Sequence, residues 1–367
     1  MKKDRIRLIK ELSNLNGAPG FEDDVCRYLH DKMGAAGFET FEDNIRNLYI
    51  YDKSTVLDGQ PRKKGSKMRI TLDAHSDECG YVVQSIKKSG LLKFLPLGTM
   101  LPSSAIAQAV RIRNRDGKYV KGVITSIPVH FLSASARQGS HDWEDLFIDV
   151  GATSAEEVAE TFKIEVGAPI VPDVECTFVE ENEVFIGKSF DNRIGVAMVT
   201  EVLAQLKGKT KLELVGAVST QEEIGGRGAV VSAKRVLPDL AIVFEGTPAD
   251  DSFTPEDEAQ SCMRKGPQLR HLDRTCISHP KFTELAIRVA KEKKIPLQRA
   301  VRSGGGTNAA LIHTTGLGIP TIVLATPCRY VHSHHCIVAL SDFEAGVKLA
   351  VELIKEIERL DIDPATY

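Results

Sequence analysis

The chain has 367 residues, 42% hydrophobic and 26% charged, a globular balance that excludes a disordered chain or a fibrous repeat. At roughly 150 residues per domain this length suggests about two domains, with enough chain for a core that needs no disulfide staples. Forty-seven Lys and Arg against fifty Asp and Glu leave a formal charge of −3, which argues against a nucleic-acid partner held by bulk positive charge.

Two helices are predicted first, from Ile6, Leu8, Ile9 and Leu12, then Val25, Tyr28, Leu29 and Met33, separated by the turn signal GAPG. The opening MKKDRIRLIKELSNLNG lacks the apolar stretch of about 7 to 15 residues of a secretory signal, so a cytoplasmic location is expected. A strand at IRNLYIYD follows, and then four apolar runs that each end in a polar cluster: MRITLDAH, LELVGAVSTQEE, LAIVFEG and IPTIVLATPCRYVH. Such uninterrupted runs suit buried parallel strands. Helical stretches lie between them, among them RIGVAMVTEVLAQLKG, with Val199, Val202, Leu203 and Leu206 at helical spacing and Gly208 as a stop. The alternation predicts an α/β core.

The segment 76–184 reads differently. YVVQSIKKSGLLKFLPL and VRIRNRDGKYVKGVITSI are strand-turn-strand patterns, the second turning at Asp116-Gly117, and they predict a β-rich insertion. The expected organisation is therefore 1–75 with 185–367 as the α/β part, and 76–184 as the insertion. The stretch 303–328 is uncharged and long enough to cross a bilayer at about 20 residues. Its Gly304, Gly305, Gly306, Thr307, Asn308, Pro320 and Pro327 would leave polar groups unpaired in lipid, so a glycine loop, a short helix and a buried strand are expected, with no membrane partner. Seven cysteines without a CxxC fit reduced thiols, most of them read as small buried hydrophobes.

In open α/β sheets ligands bind beyond the carboxyl ends of the strands. There this chain repeatedly places metal-ligand residue types: His75 after MRITLDA, Glu222 and Glu223 after ELVGAVSTQ, Glu245 after LAIVF and His332 after TIVLATPCRYV, while Asp191 opens the long helix. Singly each has a structural alternative: Asp191 as a helix cap, the glutamates as a solvated helix start or a buried salt-bridged pair, the histidines as hydrogen-bonded core imidazoles. Together, two imidazoles and four carboxylates suit a pair of borderline divalent cations such as Zn²⁺ or Co²⁺. Asp77 stands where it can fix the tautomer of His75 or bond nearby backbone. Because adjacent side chains diverge, one of Glu222 and Glu223 can bind metal while the other faces water.

The motifs HSDECG, SFDNRIG, STQEEIGGRGA, FEGTPADD, SGGGTNA and RYVHS, in this order, resemble those of the tetrahedral dinuclear metallo-aminopeptidases, the group of glutamyl and deblocking aminopeptidases in which some members are labelled cellulase M or endoglucanase. The resemblance implies a mixed-sheet α/β metallopeptidase core of the phosphorylase/hydrolase-like kind, with an inserted β-rich domain used in dimerisation, dimers that can build a tetrahedral dodecamer, and peptide substrates. It implies that Asp191 bridges two metals, with His75 and Glu245 completing one site and Glu223 and His332 the other. Glu222 would be the general base, with Asp77 behind His75. This sequence departs from the pattern at Glu245, where many relatives have Asp, and at Asn308, where Asp is frequent and a role near the substrate amine would be lost; His334 and His335 also crowd His332.

Gly305, Gly306 and Thr307 are expected to bind substrate by letting its backbone approach, because the Lys-Ser/Thr ending of a P-loop is missing. Asp250 and Asp251 are candidates for the substrate amine or turn residues. Two competing activities are an N-acyl amino acid deacylase or carboxypeptidase, with Arg302 or Arg329 for the substrate carboxylate, and an inactive assembly protein. A glycosidase needs two free carboxyl groups across a sugar, whereas these are better used on metal.

Overall fold

The computed structural model describes residues 2–60, 65–131 and 142–362. The four apolar runs become four adjacent parallel strands, in the order Glu213–Ser219, Arg69–His75, Leu240–Pro248 and Thr321–Arg329. Antiparallel strands extend the sheet: Glu39–Glu42 and Leu48–Tyr51 at one edge, and Cys336–Ala339, Val184–Gly187 and Thr177–Val179 at the other. Gln268–Leu272 pairs with Thr321–Arg329 and carries Gln298–Val301, completing an 11-stranded mixed sheet.

Residues on a strand alternate between faces, and the core divides accordingly. Leu240, Ile242 and Phe244 join the larger cluster under the helices Lys2–Asn14, Asp23–Ala35, Phe190–Leu206, Pro280–Glu292 and Leu340–Leu360. Ala241 and Val243 face the other way, against Arg227–Val236 and Ala309–Ile312. Helices cover both faces, which is what lets the central strand Arg69–His75 be buried along its whole length. Phe190–Leu206 is buried nearly all round because it lies between the sheet and the outer helices Lys2–Asn14 and Leu340–Leu360.

The second unit is a closed antiparallel barrel in the order Gly80–Ile86, Leu92–Leu97, Phe147–Asp149, Tyr119–Thr125, Ala109–Arg113 and Pro169–Pro172. Arg113 pairs with Tyr119 across a turn in which Gly117 has φ of 77°, so the Asp116-Gly117 hairpin forms as its sequence specifies. Tyr81, Phe94, Ile112, Ile124 and Ile148 fill a core separate from that of the sheet. The last barrel strand ends at Pro172, and Thr177–Val179, inside the 76–184 span, pairs with Val184–Gly187 in the larger sheet. Among the described residues no helix is long and apolar enough to cross a membrane.

Candidate metal and active site

Parallel strands end at one edge, and that edge collects the chemistry. His75 is the last residue of Arg69–His75 and pairs in register with Ser219, so Glu222 and Glu223 leave the neighbouring strand beside it. Glu245 lies near the end of Leu240–Pro248. His332 follows Thr321–Arg329, and Asp191 enters the helix Phe190–Leu206. Gly246 permits this meeting: a Cβ there would lie 2.8 Å from the carbonyl oxygen of Phe190 and 2.9 Å from Cα of Asp191.

The geometry divides around Asp191. Its Oδ1 lies 3.1 Å from Nε2 of His75, and that nitrogen lies 3.4 Å from Oε1 of Glu245. Its Oδ2 lies 3.3 Å from Nε2 of His332, which lies 3.4 Å from Oε2 of Glu223. Glu222 stands slightly apart, with Oε2 3.9 Å from Nε2 of His75.

Residues behind these donors hold them. Asp77 Oδ1 lies 3.3 Å from Nδ1 of His75, and the two Asp77 oxygens accept the backbone N–H groups of Glu222 and Glu223 at 3.0 Å each. One buried carboxylate thus stands beside a histidine and holds the turn bearing both glutamates. Asn192 donates from Nδ2 to Oε2 of Glu245 at 2.6 Å and to the carbonyl of Phe244 at 2.8 Å, fixing the longer Glu245 side chain. Deeper still, Glu78 accepts from Nζ of Lys188 at 2.6 Å while Arg193 donates to the carbonyl oxygens of Ser76 and Leu12. Sequence reasoning missed Asn192, Lys188, Glu78 and Arg193, because their partners are distant in sequence.

The electrostatics describe a site short of positive charge. Burial pushes Glu223 and Glu245 up to about 7, against the pull of His332 and His75 respectively. Burial also raises Glu222 well above the carboxylate range, with Glu245, Glu223 and Asp191 adding to it. Burial opposes a charge on His332, yet Asp191 and Glu223 raise it to about 10, and the two imidazoles hold Asp191 below its ordinary range despite its burial. His75, Asp191 and Glu245 form one group with ligand atoms within 4.8 Å of one another, and Cys79, Glu223 and His332 form a second. Oε1 of Glu223 is buried without a hydrogen-bond partner. This donor set fits divalent cations of the borderline kind.

An open cleft of about 720 Å³ is bounded by Glu222, Glu223, Glu245, His332 and Gly304, Gly305 and Gly306. Arg270, Arg274 and Arg302 also reach it. Thr307 does not line this cleft; it is buried, and its hydroxyl accepts the N–H of Ala309. Asp250 accepts from Arg302 and from the backbone of Ser261, and Asp251 is held by Arg329 through two bonds, so these aspartates act as loop and charge partners. The same pairs occupy the arginines that a deacylase would direct at a substrate carboxylate. His334 is buried with Nε2 2.9 Å from the Tyr81 hydroxyl, and His335 is exposed. Asn308 points away from the cleft, into a buried bond with Asp73.

Residues 59–349 match the M42 glutamyl aminopeptidase family. The chain is 33% identical over 358 residues to the lysyl aminopeptidase of Pyrococcus furiosus, covering 93% of this chain and 99% of that protein. Among solved structures, it is similar to the TET aminopeptidase from the marine sediment archaeon Thaumarchaeota archaeon SCGC AB-539-E09, with 36% identity, a TM-score of 0.90 and 99% of each chain covered. It is also similar to the Pyrococcus horikoshii TET1 peptidase, which can assemble into a tetrahedron or a large octahedral shell, with 25% identity, a TM-score of 0.82, and 95% of this chain and 99% of that one covered.

Proposed function

The chain belongs to the M42 glutamyl aminopeptidase family and is a peptide hydrolase of the aminopeptidase kind, and we propose that it removes N-terminal residues at a centre holding two divalent cations, Zn²⁺ or Co²⁺. The observation that carries this reading is the division of donors around Asp191, with Glu222 set apart from both groups. His75 and Glu245 would hold one cation and Glu223 and His332 a second, with Asp191 shared between the two groups. When bound, such cations polarise a peptide carbonyl and lower the pKa of water from 15.7 to about 7.

The chain's own residues supply the rest. Glu222 takes the proton of the attacking water and delivers it to the amine nitrogen as the C–N bond breaks. Asp77 keeps Nδ1 of His75 engaged so that Nε2 faces the centre, and it holds the backbone of Glu222 in place. Gly305 and Gly306 let the substrate backbone lie against the cleft wall. The test is Glu222→Gln, which leaves the size and hydrogen-bonding reach of the side chain but removes the base. It should bind metal as the parent does and lose turnover by about 10²-fold or more; full activity would remove Glu222 from this role.

The barrel is proposed as the dimerisation unit within the 76–184 segment, set between catalytic parts 1–75 and 185–367. Leu95, Leu101, Val123, Ile127 and Phe131 are exposed on it or its loops and form the apolar material of such an interface. Homo-oligomers follow, up to a tetrahedral dodecamer, a reading supported by the TET1 relative, which can assemble into a tetrahedron. The seven free cysteines support a cytoplasmic setting.

A further inference from the structure

We propose that the sulfur of Cys79 is a direct ligand of the second cation, alongside Glu223 and His332, so that the two metal positions differ in chemistry. This rests on the dinuclear reading above and goes beyond it. Cys79 lies between Asp77 and the first barrel strand, Gly80–Ile86. Its Sγ, a carboxylate oxygen of Glu223 and a ring nitrogen of His332 lie within 4.8 Å of one another. A second observation is spatial: a small, partly open cavity of about 20 Å³ is lined by residues that include Cys79, Asp191, Glu223 and His332. A volume of that size holds one water-sized occupant. A third is the buried Oε1 of Glu223, which has no partner among the described residues.

The barrel is shaped to leave this sulfur in place. Gly98, with φ of 97°, lies against the pair, and a Cβ there would sit 2.5 Å from Sγ of Cys79 and 3.2 Å from Oε2 of Glu223. Backbone alone therefore covers the pair. Cys336 lines the same small cavity, but its Sγ is engaged 3.2 Å from the carbonyl of Tyr330.

The first group offers only imidazole nitrogen and carboxylate oxygen. The second adds a soft donor, which favours Zn²⁺ or Co²⁺ over Mg²⁺ or Mn²⁺ at that position. On binding, the Cys79 S–H bond gives its proton to solvent and the sulfur lone pair faces the cation.

The full-length protein, stripped by chelator and titrated with Co²⁺, reads the bond directly. A near-ultraviolet thiolate-to-cobalt charge-transfer band should grow with one of two bound equivalents. Cys79→Ser should lose that band and bind one cobalt roughly tenfold or more weakly, whereas Cys336→Ser should retain it. Two cobalt ions bound to the parent protein without the band would overturn the thiolate ligand and leave the dinuclear reading standing, a result that needs no variant to fold. A band that survives in Cys79→Ser would also overturn it. Failure to bind cobalt at all would overturn both.

Discussion

Asn308 donates from Nδ2 to Oδ1 of Asp73 at 2.8 Å, in a pocket where both side chains are fully buried. Ser219 joins them, donating to the other Asp73 oxygen at 2.7 Å and accepting from Asn308 at 2.9 Å. One carboxylate, one hydroxyl and one amide nitrogen make up this network. The amide is therefore complementary to Asp73 and is no sign of a decayed site.

A charge swap tests that relationship. Asn308→Asp places two carboxyl groups in contact out of water and should destabilise the fold by about 2 kcal/mol. Adding Asp73→Asn restores one carboxylate and one amide and should recover most of the loss. Denaturant unfolding of the parent, both single variants and the pair measures the coupling. Additive losses in the double variant would contradict the network.

Asp77 is expected to govern metal retention without touching metal. In Asp77→Asn one of the two acceptors for the N–H groups of Glu222 and Glu223 becomes a donor facing a donor. Metal affinity, read by competition with a coloured chelator, should fall by about 10- to 100-fold. Unchanged affinity would show that the turn holds its shape without this carboxylate.

The histidine-rich segment after Thr321–Arg329 separates by geometry. His332→Ala should lower the metal content of the purified protein, because its Nε2 faces Asp191 and Glu223. His334→Ala should keep metal and instead lose about 1–3 kcal/mol of stability, since it strands the buried Tyr81 hydroxyl. Metal analysis of both proteins decides, and an emptied site only in the second would reverse the assignment.

Much of this is legible in the chain because the four parallel strands are mostly apolar and residues of metal-ligand type stand at or after their ends. His75, Asp191, Glu222, Glu223, Glu245 and His332 could be read from position alone and do converge. What could not be read depends on partners brought together by folding. Asn308 and Asp73 are 235 positions apart, so the amide looked like a lost catalytic charge. Cys79 looked like one more buried thiol, and only the barrel loop carrying Gly98 shows how closely its sulfur is set against Glu223. Thr307 was expected at the substrate because it follows the glycines, but the chain turns inward there to start Ala309–Ile312.

A centre of this kind releases single residues from a free N-terminus only when metal is bound. Protein stripped by chelator, then reloaded with Zn²⁺ or Co²⁺, should be given one peptide with a free N-terminus and its N-acetylated twin. N-terminal residues should leave the free peptide alone, one at a time, with no release by the stripped protein and release restored with metal. Cleavage of the acetylated twin alone, or equal rates with and without metal, would contradict it.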